Sequence, residues 1–64
     1  MGDVEGRAAA RHVVAKAQLA QGSAEALPEA QAALQLYRLL EDVEGEAATL
    51  DVLAQAQLRE AGEV

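Results

Sequence analysis

Shifted against itself by 39 residues, the sequence sets positions 3–21 beside 42–60, and 11 of the 19 aligned positions are identical. Four of these matches are Ala on Ala (8/47, 9/48, 15/54 and 17/56), which a chain holding 16 Ala among 64 residues produces through composition. Seven of the other fifteen positions also match: Asp3/Asp42, Val4/Val43, Glu5/Glu44, Gly6/Gly45, Val13/Val52, Gln18/Gln57 and Leu19/Leu58. An internal period of this length marks supersecondary units that stack, because one unit cannot hide its own apolar face. The repeat therefore points to neighbouring units in which residues 39 apart hold comparable positions.

Both copies open on DVEG, at 3–6 and 42–45. An Asp at that place accepts a hydrogen bond from a free first-turn N–H, and the acids behind it favour the positive end of a helix. In the second copy Ala47, Leu50, Val52, Leu53, Ala54, Ala56 and Leu58 follow near helical spacing, up to Ala61 and Gly62. The first copy stops comparably at Gln21 and Gly22. Between them Ala26, Ala30, Ala33, Leu34, Tyr37 and Leu40 step by threes and fours, the stripe of a second kind of helix. Pro28 is comfortable only in a first turn, so this helix is expected to begin late, near Leu27. The reading is one domain, 1–64, with helix A over 4–21, helix B over 25–41 and helix A′ over 44–61.

Composition agrees. Nine Leu accompany the Ala, Ile, Phe and Trp are absent, and one Tyr and one Pro occur, so the class is all-α. A chain of this size buries only about 60% of its unfolded surface, and with no Cys and one His it lacks disulfide or thiolate staples. Packing or association has to replace them. The charge of −6, eleven acids against five scattered bases, argues against a phosphate-backbone partner. No apolar run approaches the length of a membrane span, and the first residues carry neither a secretion signal nor the myristoylation pattern after Met1 and Gly2, so a soluble cytoplasmic protein with no membrane partner is expected.

The stretch AALQLYRLLEDVEGEAATLDVLAQAQLREAGE resembles tetratricopeptide repeat (TPR) proteins, in particular the longer units of kinesin light chain and G-protein-signalling-modulator proteins. Leu50, Leu53 and Ala54 match the helix A pattern, with Gln57 at its aromatic place, and Ala26 and Ala30 match half of the helix B pattern. In the first copy Arg11, Val14, Ala15 and Gln18 stand at those helix A places. The resemblance implies a helix-turn-helix solenoid fragment of three antiparallel helices, one and a half repeats. It implies also that the A helices line a concave protein-binding groove. Carried across, the lining is Ala9, His12, Lys16 and Leu19 with Ala48, Asp51, Gln55 and Leu58, each set following steps of three, four and three. The Lys/Asn set with which family members clamp a peptide carboxylate is missing, since the chain has no Asn. Another α-solenoid repeat, or a designed helical sequence, carries the same periodicity, and a cut at a repeat boundary accounts for Met1 and Gly2 where Leu40 and Glu41 precede the second copy.

Catalytic and metal chemistry find little support. His12 and Ser23, the only imidazole and the only Ser, belong to different segments, with no Gly-rich oxyanion loop. Asp42, Glu44 and Glu46 alternate as in a calcium loop but lack its Gly at the sixth place and Glu at the twelfth, and a helix start explains them better. Tyr37 falls on the helix B apolar stripe, as a core residue does. No enzyme activity and no cofactor are expected.

The leading expectation is a scaffold that binds a peptide or partner protein. The alternative is a building block that associates with itself. Because helix A′ has no B helix after it, Leu50, Val52, Leu53 and Leu58 are expected to find cover on another copy, most simply in a homodimer, with or without exchange of helices.

Overall fold

The computed structural model describes residues 3–62; Met1, Gly2, Glu63 and Val64 lie outside the described residues. Three helices follow in order, α1 over Val4–Gln21, α2 over Ala26–Leu40 and α3 over Val43–Gly62, and no strand occurs among the described residues.

The two DVEG segments build the same cap. Asp3 Oδ1 accepts from Gly6 N–H at 3.0 Å and Asp42 Oδ1 accepts from Gly45 N–H at 3.0 Å. In each, the Asp carbonyl accepts the first helical hydrogen bond, from Arg7 and from Glu46. Glu5 in α1, and Glu44 with Glu46 in α3, place negative charge in the first turn, where the helix dipole favours it. α2 starts differently: Pro28 occupies its first turn, where a missing N–H costs nothing, and Glu25 makes no side-chain cap. Glu25 and Glu41, the two ends of the span expected for this helix, thus fall just outside it as its caps, while α3 begins one residue early because Asp42 is its cap.

Both turns close in the same way. Gly22 takes a left-handed φ of 74°, its N–H reaching Leu19 O and the Ser23 N–H reaching Gln18 O. Glu41 repeats this geometry at φ 55°, with its N–H on Arg38 O and the Asp42 N–H on Tyr37 O. Such paired bonds satisfy carbonyls that a helix end otherwise leaves open. Glycine adopts that backbone freely, whereas glutamate carries steric strain there.

Short turns make successive helices antiparallel. His12 meets Tyr37 while Gln21 is joined to Ala26 through the turn, so α2 runs back along α1. α1 and α3 run parallel, since His12 faces Thr49 and, further along both helices, Leu19 meets Arg59. Those pairs are separated by 37 and 40 residues, either side of the 39-residue sequence period. The core joins Ala15, Ala30 and Val52, one from each helix, with Leu19 and Leu53 packed against it. Of the eight fully covered apolar residues among those described, six are Ala, with only Leu34 and Val52 larger. Alanine lets the helices approach closely, yet at about 25 cal/mol per Å² each contributes little to stability.

Candidate protein-interaction site

The parallel pair α1 and α3 leaves an open cleft of about 280 Å³ along its seam, lined by Lys16, Leu19 and Ala20 from α1 and by Asp51, Val52, Gln55 and Arg59 from α3. Lys16 and Ala20 are four apart, as are Asp51, Gln55 and Arg59, so each helix presents one face to the seam. The Gln55 amide donates to Asp51 Oδ2 at 3.1 Å, which holds that carboxylate against its own helix. Two cations and one anion therefore border the cleft, opposite in sign to the −6 of the chain.

Arg59 also ties the helices together. Its Nη1 donates to Leu19 O at 2.7 Å, a carbonyl in the last turn of α1. That helix has no basic residue of its own there, so α3 supplies the positive charge that a helix C-terminus favours. Towards the start of α1, outside the cleft lining, the contact between α1 and α3 is polar. Thr49 is the one fully covered polar residue among those described, and its hydroxyl lies 3.1 Å from His12 Nδ1. A buried hydroxyl requires such a partner. The Tyr37 ring stands edge-on to the imidazole, with centroids 6.3 Å apart and planes at 79°. Burial, and then the positive charge of Lys16, hold the His12 pKa below the usual 6.5.

Of the eight groove residues expected from sequence, Lys16, Leu19, Asp51 and Gln55 meet at this cleft. His12 is engaged by Thr49 and Tyr37 below it, while Ala9, Ala48 and Leu58 are exposed and outside its lining. Arg59 was missed by the sequence reading, although its place four residues beyond Gln55 was a usable signal. The expectation for Val52 needs correction. It is 5% exposed, covered within the chain by Ala15 and Ala30, so it offers nothing to a second copy. Leu53 is half-buried on the same core, and Leu50 and Leu58 remain exposed.

A second cleft, of about 380 Å³, opens beside the first turn, between Gly22, Ser23, Ala24 and Leu27 on one side and Ala56, Arg59 and Glu60 on the other. Leu19 and Arg59 border both clefts. Among the described residues no three His, Asp or Glu side chains gather as metal ligands, and no helix is long and apolar enough to cross a membrane. The chain matches no protein-family model, no curated protein and no solved structure.

Proposed function

We propose that this chain is a non-catalytic protein-interaction module, a TPR-like scaffold fragment that receives a peptide in the seam between its two parallel helices. The observation that carries this reading is the convergence of Lys16, Leu19, Asp51 and Gln55, from both copies of the repeat, on one open cleft. The 37- and 40-residue steps of the α1 to α3 contacts support side-by-side stacking of units, as a solenoid requires. The half-buried Leu19 gives the cleft its apolar floor, and Lys16 and Arg59 favour an acidic peptide in an otherwise acidic molecule. A peptide-array screen with Lys16→Glu and Asp51→Lys variants tests it. Peptides retained by the parent chain should be lost on Lys16→Glu, and an array that reads identically for all three chains would discard the cleft as a binding site.

Self-association is the second reading, supported by the exposure of Leu50 and Leu58 on α3. Light scattering over a range of concentrations separates the two. A mass that doubles with concentration, with no peptide retained, favours the building block. A folded monomer removes it.

A further inference from the structure

Residues 39 apart do not hold the comparable positions that the repeat suggests: the two copies turn opposite faces towards the body of the protein, because α2 packs between them. In α1 the covered residues are Ala8 and Ala15, with Leu19 half-buried. Their counterparts 39 residues on, Ala47, Ala54 and Leu58, are all exposed, Leu58 by 73%. In α3 the covered residues are Thr49, Val52 and Ala56, whose counterparts Ala10, Val13 and Ala17 are exposed, Val13 by 62%. Each copy thus satisfies one of two apolar faces that the same sequence pattern specifies.

We infer that the outer face of α3, carrying Ala47, Leu50, Ala54 and Leu58, docks an amphipathic helix of the α2 type presented by a partner protein. Two small residues seven apart followed by a leucine form, in α1, the surface beside which α2 packs through Ala30. α3 presents the same spacing, and among the described residues nothing covers it. Small residues let a facing helix approach closely along such a row.

Charge decides which bare face is used. α2 is fastened to α3 by Arg38, whose Nε lies 3.1 Å from Glu46. Arg7 stands at the place of Glu46 in the first copy, so a helix like α2 on the bare face of α1 sets Arg38 against Arg7. The outer face of α3 carries no such conflict. There the differences between the copies define the partner instead. Arg11 pairs with Glu29 of α2 at 3.3 Å, but Leu50 holds the place of Arg11 in the second copy. The complementary helix accordingly keeps the alanines of α2 and bears an apolar residue where α2 has Glu29.

The docking face uses side chains other than those of the α1 to α3 cleft, so it stands or falls independently of the peptide-binding reading. The probe is a fluorescent peptide with the sequence of residues 23–42, unmodified or carrying Glu29→Leu, titrated against the full chain by anisotropy. The Glu29→Leu peptide should bind about tenfold more tightly than the unmodified one, the effect of one apolar side chain covered on Leu50. Ala54→Arg and Leu58→Asp, at unchanged helicity, should each weaken that binding by about tenfold or more, while Val13→Arg leaves it intact. Lys16→Glu should leave it intact too, which separates this face from the cleft. No binding by the Glu29→Leu peptide overturns the inference, as does binding that survives both α3 variants or is lost on Val13→Arg. A chain that refuses the peptide and doubles in mass until Ala54→Arg restores the monomer assigns the face to a second copy and overturns it equally.

Discussion

The ring of Tyr37 fills the space into which a side chain on Gly45 would project. At the same position in the first copy, Gly6, the nearest atoms are those of the carboxylate of its own cap residue, Asp3. Glycine within a helix normally costs about 0.5–1 kcal/mol relative to alanine, so the two sites should respond differently. Gly45→Ala should lower the unfolding free energy by about 1–3 kcal/mol through overpacking. Gly6→Ala should leave stability within about 0.5 kcal/mol of the parent, because the helix preference of alanine offsets the weakening of the Asp3 cap as that side chain shifts. Urea denaturation of both variants, and of Gly45→Ala combined with Tyr37→Leu, checks the assignment. The second substitution should recover most of the loss, and a loss that ignores residue 37 argues against the contact.

Glu41 holds a backbone conformation suited to glycine. Glu41→Gly should therefore stabilise the fold by about 0.5–1 kcal/mol, the relief of left-handed strain less the added freedom of the unfolded chain. In a domain of this size that appears as a melting temperature several degrees higher. Glu41→Ala should bring no gain.

His12 makes stability depend on pH. Burial and Lys16 hold its folded pKa below 6.5, while Tyr37 from α2 and Thr49 from α3 face the ring without charge. Between the lowered value and 6.5 the unfolded chain binds more protons than the folded one, so stability falls as pH is lowered through that interval. Denaturation midpoints taken from roughly pH 7.5 down to 5.5 should decline for the parent chain and stay flatter for His12→Gln. A parent curve that rises on acidification would have the sign wrong.

Gln18 Oε1 is buried without a hydrogen-bond partner. An acceptor left in that state costs about 1–3 kcal/mol, and an apolar residue of the same shape avoids the cost. Gln18→Met should stabilise by about 1 kcal/mol in the same denaturation assay. The equivalent change at the exposed Gln57 should have little effect.

The local signals of the sequence were legible because each acts over a few residues. The Asp caps of DVEG, the stop at Gly22 and the confinement of Pro28 to a first turn all follow from short-range hydrogen bonding and sterics. The left-handed Glu41 was hidden, since nothing in glutamate advertises that conformation. The side of α3 that is covered was hidden too. Leu50, Val52, Leu53, Ala54, Ala56 and Leu58 surround that helix, so periodicity alone does not choose between Val52, which is buried, and Leu58, which is not. Four of the eight residues that the resemblance assigns to a groove, Lys16, Leu19, Asp51 and Gln55, line the α1 to α3 cleft. Arg59 escaped because its value lies in a contact with another helix, the Leu19 carbonyl.

The central claim is that matching residues of the two copies have unlike surroundings, in a crossed order. Ala15 and Ala56 are covered, while their partners Ala54 and Ala17 are exposed. The chain contains no cysteine, so a single thiol placed at each of these four positions reports on that position alone. Thiol-labelling rates of Ala15→Cys, Ala54→Cys, Ala17→Cys and Ala56→Cys measure the claim directly. The first copy should be protected at 15/54 and the second at 17/56, each by about tenfold or more over its partner. Equal rates within the pairs, or protection of the same copy in both, would contradict the account.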